Sequence, residues 1–262
     1  MESGFRSPLV DFFRRGEVAR DVRMMAAEGA LAPRAHEQLA LLIHLSDDAD
    51  TAVAASANAT LAALPTESLQ AFLARSDVPA QMREFFAARG VSPGSQPAAD
   101  AAEPLVNLDG PDGPDAAPAD ETAPADDEAS PVLSSLPIVE RMKLAMKGTR
   151  SQRAQLIRDS NKLVAAAVLS SPKLTSAEVE AFSKMANVTE EVLRAIAMNR
   201  SWMKNYGVVT GLTRNPKTPP AISMQIVQRL NDKDLKMLSM DRNVPEAVRL
   251  VARKYVVKGL DK

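Results

Sequence analysis

"LTSAEVEAFSKMANVTEEVLRAIA", residues 174–197, superimposes without a gap on two other stretches of the same chain. These are "LPTESLQAFLARSDVPAQMREFFA" at 64–87 and "LNDKDLKMLSMDRNVPEAVRLVAR" at 230–253. Each opens on leucine: Leu64, Leu174 and Leu230. Five residues on stand Leu69, Val179 and Leu235, and three further Phe72, Phe182 and Leu238. Next come Asp77, Asn187 and Asn243, followed by Val78, Val188 and Val244. Pro79, Thr189 and Pro245 then open a second helix, whose first turn carries Met82, Val192 and Val248. Apolar residues three to five apart share one face of a helix. Asn or Asp suits a turn and tolerates left-handed backbone. The valine plugs the joint, and Pro or Thr starts the next helix. One short hairpin cannot bury its own apolar stripe, whereas stacked hairpins can. The pattern predicts an all-α fold, an α-solenoid of short helical hairpins.

Two further joints match in part. In "LSSPKLT" (169–175) Leu174 takes the plug position. In "LTRNPKTP" (212–219) Asn215 turns, Thr218 plugs, and Pro219 with Pro220 opens the next helix. Ser151 and Ser201 read as helix caps. Short helical runs without strand alternation also fill residues 1–90. Residues 91–136 differ, with ten acidic residues, eight prolines, no basic residue and no apolar period. Such a stretch buries too little to offset its ordering entropy and reads as a disordered acidic linker. Leu105, Val106 and Leu108 form an apolar island in it that could serve as a docking motif. The expected organisation is an N-terminal helical domain at 1–90, the linker at 91–136, and a basic repeat domain at 137–262.

The net charge of −1 conceals an asymmetry: residues 1–136 carry −13 and residues 137–262 carry +12. No lysine precedes Lys143. Cysteine is absent, which removes disulfides, thiolate metal sites and cysteine catalysis. No secretory h-region and no run of about 18 apolar residues occurs, so the expected setting is the cytoplasm.

The repeat resembles HEAT-like and leucine-rich-variant-like helical repeats. Residues 137–262 are similar to a family of uncharacterised bacterial HEAT-like proteins. That resemblance is carried by "LIRDSNKLVAAAVLSSPKLT", "NVTEEVLRAIAMNRSWMKNYG", "RNPKTP" and "DRNVPEAVR". It implies a solenoid and no assigned activity. Leucine-rich-variant proteins can hold an iron–sulfur cluster on cysteines, a feature that cannot carry over to a chain without cysteine. Some HEAT-like proteins are DNA glycosylases, with aromatic and acidic residues in a basic groove. Here no acidic residue lies between Glu191 and Asp232 to serve an aromatic pair.

Catalytic motifs are otherwise lacking: there is no HExxH, no GxSxG and no phosphate loop. His36 and His44, eight residues apart, would stand about 12 Å apart on one helix, so they read as structural. "DDAD" at 47–50 reads as a helix cap. The most distinctive cluster is "MNRSWMKNYGVV" (198–209), where Trp202 and Tyr206, four apart, would share a helix face flanked by Arg200 and Lys204. It reads as an aromatic and basic patch, or with Trp202 as a joint plug. Lys173, Arg200, Arg214, Lys217 and Arg242 recur near joints and would form a cationic ridge. The candidate partner-binding residues are therefore Arg200, Trp202, Lys204, Tyr206, Arg214, Lys217 and Arg242. The expected function is a non-enzymatic protein-binding scaffold or adaptor without a cofactor. The alternative is nucleic-acid or polyanion binding by the basic domain, masked by the linker.

Overall fold

The computed structural model describes residues 3–31, 33–98, 104–106 and 133–260. Among them every regular element is a helix. None is long and apolar enough to cross a membrane. The chain divides into two compact units, residues 1–148 with 170–173, and 149–169 with 174–262. The whole of the expected basic domain's opening helix, "PIVERMKLAMK" (137–147), thus falls with the N-terminal unit, whereas the sequence places the edge at 136. Most of the expected linker, residues 107–132, lies outside the described residues, as does Leu108 of the apolar island.

The N-terminal unit contains α1 (Pro8–Arg14), α2 (Arg20–Ala27), α3 (Ala35–Leu45), α4 (Thr51–Ala62), α5 (Thr66–Leu73), α6 (Ala80–Ala87) and α7 (Ile138–Lys147). Helix α3, "AHEQLALLIHL", is buried on nearly every face, with α1, α2 and α4 packed around it. A helix apolar all round belongs at the centre of a core. Its two polar exceptions, Glu37 and Gln38, are buried with it. Asp50 caps α4 by accepting from the N–H groups of Ala52 and Val53, as the "DDAD" reading expects. Asp48 takes a different task and pairs with Arg23 at 2.6 Å.

Several N-terminal helices end on a left-handed glycine. After α2, Gly29 has φ +78°, and the amides of Gly29 and Ala30 reach back to the carbonyls of Ala26 and Met25. Gly16 and Gly90 close α1 and α6 with the same pair of bonds. This arrangement satisfies the last carbonyls and reverses the chain where a side chain would be strained.

The C-terminal unit contains α8 (Arg150–Leu156), α9 (Lys162–Leu169), α10 (Ser176–Lys184), α11 (Glu190–Met198), α12 (Tyr206–Arg214), α13 (Pro220–Ile226), α14 (Asp232–Met240) and α15 (Glu246–Leu260). Packing runs α8 on α10, α10 on α12 and α12 on α14, with α9 on α11 and α13 on α15 beside them. Every aligned apolar position of the repeat is buried, from Leu64, Leu174 and Leu230 through the plugs Val78, Val188 and Val244 to Met82, Val192 and Val248. At about 1.5–3 kcal/mol per large apolar side chain, this register is the main stabilising term of each hairpin. Thr149 and Thr175 form capping boxes with Gln152 and Glu178, so the cap of α8 is Thr149 and not Ser151.

Side chains near the helix starts tie successive layers of this unit together. Arg153 of α8 donates through Nε and Nη2, both at 2.9 Å, to Oε1 of the buried Glu178 on α10. The Oε2 of Glu178 accepts from the backbone and hydroxyl of Thr175. One carboxylate therefore caps its own helix and anchors its neighbour. On α12, Gly207 and Gly211 lie against α10, where a Cβ would meet Glu180 and Ser183 at little over 2 Å. Small residues four apart let the two backbones approach closely.

Candidate binding surface

Residues 199–217 form the surface the sequence singled out. Helix α11 ends at Asn199, whose backbone is extended (ψ 109°) and whose Oδ1 accepts from the amides of Ser201 and Trp202. Ser201 itself makes no side-chain cap. Trp202, Met203 and Lys204 form one 3-10 turn, and Asn205 is extended before α12 begins. This break corrects the expectation that Trp202 and Tyr206 share a helix face. The plug also moves by one residue: the Met203 amide bonds the carbonyl of Asn199, and Met203 is the buried side chain while Trp202 is half-buried.

Tyr206 and Arg214 meet the same acid. The Tyr206 hydroxyl donates to Asp234 Oδ2 at 2.6 Å and accepts from the Asn231 amide at 3.1 Å. Arg214 Nη2 donates to Asp234 Oδ1 at 2.7 Å and lies 3.7 Å from the sulfur of Met237. Although no acid lies between Glu191 and Asp232 in sequence, the tertiary fold supplies one from the next helix but one. Tyr206 and Arg214 so converge on Asp234, and Met237 lies against Arg214. Met198, Met237 and Met240, which the sequence analysis does not single out, are exposed.

Asn215 does more than turn. Its backbone is extended (φ −76°, ψ 119°) rather than left-handed. Its Nδ2 donates to the carbonyls of Ser183 (3.0 Å) and Met185 (2.9 Å), and its Oδ1 accepts from Lys217 N at 3.0 Å. It clamps the end of α12 to the end of α10. Asn199 and Asp241 likewise stand at the helix stop, four before Met203 and three before Val244, with extended backbone and an identical acceptor role towards the residue two on. An Asn/Asp recurring at the helix stop is the signal that could have found the clamp. Thr218 is buried at its plug position, and its hydroxyl has no hydrogen-bond partner among the described residues.

Among the joint cations, Arg200, Lys204, Lys217 and Arg242 are exposed. Lys173 groups with the N-terminal unit. Elsewhere in the C-terminal unit, Lys162 pairs with Glu191, Lys184 with Glu180 and Arg194 with Glu190. The Lys184 ammonium, aided by the Asn205 amide, holds the Glu180 carboxyl below its usual range. The histidines sit apart, in the N-terminal unit. His36 stacks on Phe5 and meets the edge of Phe72, and His44 lies 3.2 Å from the carbonyl of Phe13. Burial lowers the pKa of both. Among the described residues no three His, Asp or Glu side chains gather where a metal could be held. Comparison with protein-family models, with curated proteins and with solved structures returns no match to this chain.

Proposed function

We propose that this chain is a non-enzymatic scaffold of the bacterial cytoplasm, and that residues 149–262 form a HEAT-like α-solenoid that binds a protein partner. The observation that carries this reading is the surface where Tyr206 and Arg214 converge on Asp234 with Met237 against Arg214, and with Met198, Met240 and Trp202 nearby in the chain. Exposed methionine beside an aromatic and a cation suits an adaptable protein contact. The successive packing of α8, α10, α12 and α14 supports the solenoid. Affinity capture with the full chain and with Met237→Glu/Met240→Glu tests it. At least one protein recovered with the first and lost with the second is expected; identical recoveries would overturn the reading.

A second reading, polyanion binding, is favoured by exposed Arg200, Lys204, Lys217 and Arg242. It expects the full chain to bind DNA or RNA at low salt with affinity that falls steeply as salt rises. Absence of low-salt binding removes it.

A further inference from the structure

Gln38 lies in the first half of the buried helix α3 and is only 2% exposed. A buried carboxamide needs partners for its oxygen and its nitrogen. Both come from a segment that is distant in sequence. Gln38 Oε1 accepts from Leu105 N at 2.7 Å and Val106 N at 3.0 Å, and Nε2 donates to Val106 O at 2.6 Å. The side chain thus reads two consecutive peptide units much as a neighbouring strand would. The Val106 side chain faces Gly29, where even a methyl group would come within 3.1 Å of its Cγ1. Leu105 and Pro104 border a cavity of about 300 Å³ whose other walls are Ala35, Ser68, Ala71, Phe72 and Ala98. Upstream, the chain is pinned to α5 by Gly94 N to Gln70 O and Ala98 N to Ala71 O, while Arg75 holds the carbonyl of Ala98.

We propose that the cleft beside Gln38 is a receptor site for a short extended apolar peptide, occupied in the resting chain by its own Leu105–Val106 as a tethered, displaceable ligand. Main-chain hydrogen bonds to one fixed amide supply affinity with little dependence on sequence. Specificity comes from the two flanking positions: a β-branched or small residue fits against Gly29, and the residue at the Leu105 position is read by the cavity. Leu105 and Val106 are themselves only half-buried, so the contact is small enough to exchange. The partner this site fits is another protein's extended Leu-Val-like segment. The proposal rests on the N-terminal unit and does not depend on the scaffold reading of the C-terminal unit.

The test uses a fluorescent peptide, AAEPLVNLD, corresponding to residues 101–109, and the full chain. A tethered ligand competes at an effective concentration of roughly millimolar. Wild type should therefore bind the peptide at least about tenfold more weakly than the variant Leu105→Ser/Val106→Pro, which withdraws the cis ligand and its N–H donor. A peptide N-methylated at the Val106 position should lose at least about tenfold in affinity for that variant, because it cannot donate to Gln38. In unsubstituted protein, excess unlabelled peptide should speed hydrogen exchange at the Leu105 and Val106 amides. Equal affinity of wild type and released variant, equal affinity of the parent and N-methylated peptides, or unchanged exchange would each overturn the proposal.

Discussion

The two units end their helices differently. In the N-terminal unit α1, α2 and α6 close on left-handed Gly16, Gly29 and Gly90. In the C-terminal unit α10, α11, α12 and α14 stop on extended residues, Met185, Asn199, Asn215 and Asp241. A glycine reversal satisfies its own carbonyls and leaves the next helix free to take any direction. An extended stop is followed three or four residues on by a buried plug: Val188, Met203, Thr218 and Val244. The first device occurs around the buried helix α3; the second occurs where α10 packs on α12 and α12 on α14. Repetition of structure here follows from repetition of the helix stop, and the apolar register alone would not impose it.

Four substitutions break or sharpen this contrast. The largest effect is expected from Arg153→Met, which leaves the buried Glu178 carboxylate without its guanidinium. Removing one partner of a buried pair costs about 3–5 kcal/mol, so urea unfolding should shift by that amount in the C-terminal unit. A loss under about 1 kcal/mol would mean the layers do not depend on this link.

The second contrast is pH. Burial, opposed by bonds from Ser7 and Ser170, raises the pKa of Glu37 in the folded chain. Its contribution to stability is complete below the unfolded value and is lost as pH rises through the folded one. His36 and His44 run the other way. Burial lowers both, with Asp77 and Arg75 facing His36, and Arg14 and Asp48 facing His44. Their contribution is complete above the unfolded value and is lost as pH falls from about 6.5 through the folded values. Thermal unfolding across this range should show Glu37→Gln gaining stability near neutral pH, and His44→Gln flattening the acid side. Parallel profiles for wild type and both variants would refute the assignment.

The smallest effect is expected from Thr218→Val, which keeps the plug's shape and removes a buried hydroxyl without a partner. It should stabilise the C-terminal unit by about 1 kcal/mol, read as a shift in urea midpoint. Destabilisation would show that the hydroxyl is used.

The fold was legible wherever apolar spacing carried it. Leu174, Val179, Phe182, Val188 and Val192 are buried at the places the alignment assigns them, as are their counterparts in the other two repeats. The candidate surface was legible only in composition. Arg200, Lys204, Lys217 and Arg242 are exposed as expected, whereas Trp202 and Tyr206 are separated by an extended Asn205 and Tyr206 is tied to Asp234. The acidic stretch at 91–136 was read as wholly unstructured. Yet Gly94, Ala98, Leu105 and Val106 are held on the N-terminal unit by hydrogen bonds to their backbone, and of these only the apolar pair Leu105 and Val106 had a signal in the sequence.

Local chemistry sufficed for the helices, their apolar faces and most of their proline starts, because 3.6-residue periodicity and missing amides act within a few residues along the chain. The pairing of Arg214 with Asp234, the clamp of Asn215 on α10 and the grip of Gln38 on Leu105 and Val106 needed the folded chain. Each joins groups 20 or more residues apart, and a hydrogen bond is selected by distance and angle in space, which residue order does not encode.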